Sequence, residues 1–130
     1  MEKPFVLIID RYSGLTKKGV NLLAGAFSSQ MGYTVLPVLT CDEATEEILA
    51  ESTVIAVGCA KTHPILAKYE KMGFLSIPEK KNGYAFRVDK DPENEEKSIV
   101  LIAGADEGGV LYGCADFCNK YLGRISVEGW

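Results

Sequence analysis

The chain has 130 residues and a formal net charge of −4, with 47% hydrophobic and 25% charged residues. That length describes one domain, and that composition an ordinary globular core that closes without disulfides or metal. The acidic balance argues against a nucleic-acid or anionic-membrane partner, both of which ask for a basic surface. No apolar run approaches the roughly 20 residues that span a bilayer.

The opening MEKPFVLIID has too short an apolar stretch for a signal-peptide core, so the chain reads as leaderless or as a piece of a longer protein. Within it, Phe5–Ile9 is continuously apolar, which predicts a strand at a sheet centre or buried on both faces. Asp10–Gly14 reads as a loop. Over Leu15–Met31, residues Val20, Leu23, Ala24, Phe27 and Met31 fall on one helical stripe, with Thr16 as N-cap and Gly32 as stop. Gly19 and Gly25 each weaken that helix by roughly 1 kcal/mol against alanine, and they allow close backbone packing.

Thr34–Leu39 predicts a second strand. Asp42 is placed to cap a short helix through Ala50, with Glu43, Glu46 and Glu47 near its positive end. Thr53–Val57 predicts a third strand. A helix follows over Thr62–Met72, with Pro64 tolerated in the first turn, a stripe of Ile65, Leu66, Tyr69 and Met72, and Gly73 at its end.

Asn82-Gly83 signals a turn, and Tyr84, Phe86 and Val88 alternate with Ala85, Arg87 and Asp89 as in a half-buried strand. A charged loop is expected over Asp89–Lys97, then a strand over Ser98–Ala103, the two strands forming an antiparallel hairpin. Asp106 is placed to cap a last helix over Glu107–Leu122, whose stripe reads Leu111, Cys114, Ala115, Cys118 and Leu122, with Gly123 terminating it. These elements predict a single α+β domain over residues 1–123 and a tail over 124–130. The expected architecture is a two-layer sandwich: one mixed sheet with helices mainly on one face.

Four cysteines, Cys41, Cys59, Cys114 and Cys118, are too sparse for a disulfide scaffold and read as reduced thiols, as in the cytoplasm. Cys114 and Cys118 lie four apart on one helix, but no second pair stands at zinc-site spacing, so no metal is expected. His63 is the single histidine; with Cys59 it lacks an orienting third group, and His63-Pro64 reads as a helix entry. The turn Gly104-Ala105-Asp106-Glu107-Gly108-Gly109 joins a strand to a helix, where free N–H groups can cradle an anion. Its two carboxylates repel phosphate, and it matches neither the dinucleotide fingerprint nor the P-loop. Helix capping and tight packing are the simpler reading. No cofactor and no catalytic residue are expected.

Most carboxylates fall in solvated runs. Asp10 and Asp106 differ: each follows a strand, and if those strands are parallel both lie at the carboxyl ends where ligands of α/β sheets gather. They are the candidate ligand-binding residues. The tyrosines do not cluster as a sugar-stacking platform, and Tyr84 and Tyr112 are expected to pack against the sheet.

Ile99–Ile102, Gly104, Asp106, Gly109, Leu111, Tyr112 and Gly113 form a pattern of apolar strand, small residue, Asp, then Gly-x-Leu-Tyr-Gly on an amphipathic helix. Preceded by Asn82–Val88 and by the strand end and helix of Gly58–Gly73, it resembles the small α/β domain that precedes the catalytic barrel of several glycoside hydrolases. β-N-Acetylhexosaminidases and α-glucuronidases are the clearest of these. The resemblance covers residues 56–123 well and the first 50 residues in element order. It implies a non-catalytic accessory domain whose partner is a catalytic barrel of the same parent chain, with carbohydrate as the possible ligand. Within it Gly104, Asp106, Gly109, Tyr112 and Gly113 are the structural motif, with Tyr112 anchoring the first helical turn. The alternative is a free-standing module that binds a sugar or nucleotide at Asp10 and the Gly104–Gly109 turn.

Overall fold

In chain order the structure comprises β1 (Phe5–Ile9), α1 (Gly14–Met31), β2 (Val38–Thr40), α2 (Glu46–Glu51), β3 (Thr53–Cys59), α3 (Pro64–Lys71), β4 (Tyr84–Asp91), β5 (Asn94–Gly104) and α4 (Glu107–Phe117). A short π-helical turn, Cys118–Leu122, continues α4. This computed structural model describes residues 5–31, 37–59 and 61–122. Gly32, Tyr33, the first half of the strand expected over 34–39, Gly123 and the tail lie outside the described residues.

The five strands form one mixed sheet in the order β2-β1-β3-β5-β4. Neighbours are parallel from β2 through β5, and β4 closes the edge antiparallel to β5. The mixed sheet with helices against it is the α+β fold that the sequence predicts.

The helices are distributed over both faces, so the expected two layers become three. On one face Leu7, Ile9, Ile55, Val57, Val100 and Ile102 meet Val20, Leu23 and Phe27 of α1 and Val110, Cys114 and Phe117 of α4. On the other, Val6, Ile8, Val54, Ala56, Ile99 and Leu101 meet Leu66 and Tyr69 of α3, with Ile48 and Leu49 of α2 at the margin. The reason lies in the strands. In β1, β3 and the second half of β5 both alternating sets are apolar, so each face has to be covered. The longer helices still sit on the first face, where Phe27, Phe86 and Phe117 make a ring cluster. Phe117 lies 6.5 Å from Phe27 and meets Phe86 edge-on at 5.7 Å.

Several local expectations shift. Thr16 is not a cap: it is buried inside α1 at 1% exposure, while Gly14, at φ 57°, bends the chain into the helix. Thr45 rather than Asp42 caps α2, its hydroxyl accepting from Ile48 N at 3.1 Å. The charged stretch 89–97 is mostly strand. Asp91 turns inward, accepts from the Tyr69 hydroxyl at 2.7 Å and from Glu93 N at 2.9 Å, and leaves only Pro92 and Glu93 at the hairpin tip.

The buried face of α4 is Gly109, Val110, Gly113, Cys114 and Phe117, one position round from the expected stripe. Tyr112 is therefore 53% exposed and does not pack on the sheet or anchor the turn. Tyr84, by contrast, stacks on Phe86 and donates to Asp116 at 2.8 Å.

Candidate functional site

β1 is followed in the chain by β2 on one side of it, and β3 by the β4–β5 hairpin on the other. The connections therefore diverge between β1 and β3, and the carboxyl ends of those strands form the topological switch point at which open α/β sheets bind ligands. Asp10 stands there, one residue past β1.

Its carboxylate ties the switch point together. Oδ1 accepts from Arg11 N at 2.9 Å. Oδ2 accepts from Cys59 N at 3.1 Å and from the Thr62 hydroxyl at 2.5 Å. The closeness is possible because residue 58 is glycine: a Cβ there would lie 2.5 Å from Oδ1, and its φ of 154° disfavours a side chain in any case. Behind Thr62, the N–H groups of Thr62 and His63 both donate to the Cys59 carbonyl, at 3.0 and 2.8 Å, which forms the tight turn into α3.

His63 precedes α3 and is fully buried beneath this turn. Nε2 is 2.9 Å from the Ile8 carbonyl, which can only accept, so Nε2 carries the proton. Nδ1 then presents its lone pair to Cys41 Sγ at 3.7 Å. Burial depresses the His63 pKa, against opposing effects of the Ile8 carbonyl and Asp10. Burial likewise pushes the Cys41 thiol up to about 11, helped by the Asp10 and Asp42 charges. It also raises Cys59, which the Asp10, Asp106 and Glu107 carboxylates push further. A thiol among carboxylates remains protonated and is a poor nucleophile.

Asp106 lies at the neighbouring strand end and caps α4. Oδ1 accepts from Gly109 N at 2.8 Å and Oδ2 from Asn82 N at 3.0 Å. These N–H groups, Asn82 first, hold its carboxyl below the usual range. The joint is tight on every side. A Cβ on Gly104 would lie 2.4 Å from Val110 N, and one on Gly109 would lie 2.1 Å from the Gly83 carbonyl oxygen. One on Gly113 would lie 3.2 Å from Ile102. An exposed ion pair from Arg11 to Glu107, 3.4 Å, links the loop after β1 to the start of α4.

The structure thus brings both sequence-predicted carboxylates to the same end of the sheet and gives each a set of internal partners. As partners of Asp10, Gly58, Cys59 and Thr62 escape the sequence reading. The one signal for Gly58 is a glycine inside a strand, which marks a close backbone approach. Two hollows flank the site. One of about 290 Å³ is lined by Ile9, Tyr12, Thr40 and Glu43. The other, about 480 Å³, is lined by Lys61, Lys80, Lys81 and Asp106.

Cys114 and Cys118 do not join the site. Cys114 is buried under α1, its thiol raised by desolvation, and Cys118 is pushed up to about 11. Among the described residues no three His, Cys, Asp or Glu side chains converge as metal ligands, and no helix is long and apolar enough to cross a membrane. No protein-family model and no curated protein matches the chain.

Proposed function

We propose that the chain is a non-catalytic accessory domain of a carbohydrate-active enzyme, supporting or rimming an adjacent catalytic barrel. The observation that carries the reading is how the groups able to do chemistry at the strand ends are used. Asp10 accepts three hydrogen bonds, Asp106 caps a helix, and His63 is held by a β1 carbonyl. General acid–base work in glycoside hydrolysis needs a carboxylic acid free to reach the leaving oxygen. The residues of the glycoside-hydrolase pattern support it too: Gly104, Asp106, Gly109 and Gly113 act here as a packing joint between the last strand and the last helix.

The isolated chain should turn over no chromogenic glycoside or glucuronide. The reading frame beyond the Trp130 codon should continue into a segment of barrel length. Turnover by pure protein that disappears in Asp10→Asn, or a frame that stops at that codon, overturns the proposal.

One observation favours the alternative of a small-molecule module: Asp10 sits at the switch point, beside a hollow. Calorimetric titration with sugars and nucleotides separates the two, since a flat response to both removes the module.

A further inference from the structure

We propose that Cys41 and His63 form a binding site for a soft, low-coordinate d10 cation of the Cu(I) class. The two side chains come from different elements, the turn after β2 and the entry to α3, and meet at the end of β1. Their donor atoms, Cys41 Sγ and His63 Nδ1, are 3.7 Å apart. A d10 ion holds thiolate sulfur at about 2.3 Å and imidazole nitrogen at about 2.0 Å, so that separation closes around one ion at an N–metal–S angle of about 120°. That is a trigonal arrangement with its third position left for an exogenous thiol or halide.

The histidine is set up as a ligand. Its far nitrogen donates to the Ile8 carbonyl at 2.9 Å, which fixes the tautomer and turns the Nδ1 lone pair toward the thiol. A backbone carbonyl in this position is the usual outer support of a metal-binding imidazole. His63 is fully buried and Cys41 half-buried, so an ion enters from the Cys41 side. On binding, the metal–sulfur bond replaces the S–H bond and the proton leaves to solvent.

The donor count selects the metal. A structural zinc ion asks for four ligands and a hard cation for six or more oxygens. Asp10, the carboxylate beside this pair, already accepts from Arg11, Cys59 and Thr62. One thiolate and one imidazole, with no third protein ligand, suit an ion that is soft and content with two or three donors.

Silver(I) is the redox-inert probe of this chemistry. The chain holds a single histidine, so its ring nitrogens give one pair of signals in the tag-free, nitrogen-15-labelled protein. Addition of one equivalent of silver(I) should shift the Nδ1 signal and leave the Nε2 proton in place. The shift should vanish in Cys41→Ser and survive in Cys59→Ser. Silver bound with no imidazole shift, or a shift that persists in Cys41→Ser, overturns the proposal; so does failure to bind silver.

Discussion

Replacing Asp10 by alanine tests whether this carboxylate is a latch or a ligand group. The substitution removes the acceptor of three donors. Arg11 N and the Thr62 hydroxyl are exposed and recover water, at a few tenths of a kcal/mol each. Cys59 N, at the half-buried end of β3, is left short of a partner, and a buried donor so stranded costs about 1–3 kcal/mol. The expected loss is therefore about 2–3 kcal/mol, or a fall in melting temperature on the order of 10 °C for a domain of this size. Asn keeps one oxygen for Cys59 N and Thr62 but sets its NH2, a donor, against Arg11 N, also a donor, so that one bond is lost and Asp10→Asn should cost about half as much. Thermal and urea unfolding followed by circular dichroism measure both, and amide exchange at Cys59 reports the local opening. The outcomes differ in sign for the two roles. A carboxylate kept for a ligand costs stability, and its removal leaves the fold as stable or more so. Asp10→Ala within about 0.5 kcal/mol of the parent, a change of the size expected at a surface position without such a role, would refute the latch.

Three further predictions concern the joints around it. Gly58→Ala places a methyl 2.5 Å from the Asp10 carboxylate at φ 154°; it should destabilise by more than the about 1–3 kcal/mol of backbone strain alone, and by less when Asp10 is also alanine, as a double-mutant unfolding cycle would show. Phe117→Ala empties the centre of the ring cluster and should cost about 3–5 kcal/mol in the same assay; a loss under about 1 kcal/mol, the scale of an ordinary mutation, would mean that the core collapses to fill the space. Asp106 has a depressed carboxyl, so its contribution is present above the unfolded-state pKa and is lost as pH falls through the folded value. Asp106→Asn keeps the cap but not the charge, and should flatten the drop in melting temperature between about pH 5 and pH 3; an unchanged acid limb would contradict this.

How much of this was legible in the sequence varies with what each residue answers to. The apolar run Phe5–Ile9 announced a strand covered on both faces, and it is one. The one-face expectation came from the order of connections, and the same run argued against it. Helix faces were harder to read. In α4 nearly every position from Val110 to Phe117 is apolar or small, so periodicity does not fix the rotation. The choice fell to Gly113 and Phe117, which fit against Ile102 and Phe27. Gly19 did promise close packing, and its neighbours are Leu111 and Cys114 of α4. Asp10 could be picked out by its place after a strand. Its partners lie 49 and 52 residues away and are brought in by parallel pairing, which no local pattern encodes.

The β4–β5 hairpin has a bearing on how the molecule comes into being. Among the described strands it is the one pairing closed by a tight turn; each of the others, β1 with β2 included, closes a longer loop first. Hairpins form in about 1–10 μs, whereas contacts between distant segments wait on loop closure. We expect the chain to fold from its second half inward, with β5 presenting the edge on which β3 aligns and β3 then receiving β1. On a ribosome the order is awkward: β1 and β3 emerge first, and the apolar flank of β3 stays unpaired until Gly104 is made. Nascent chains cut short before β5 should therefore be the ones that chaperones hold.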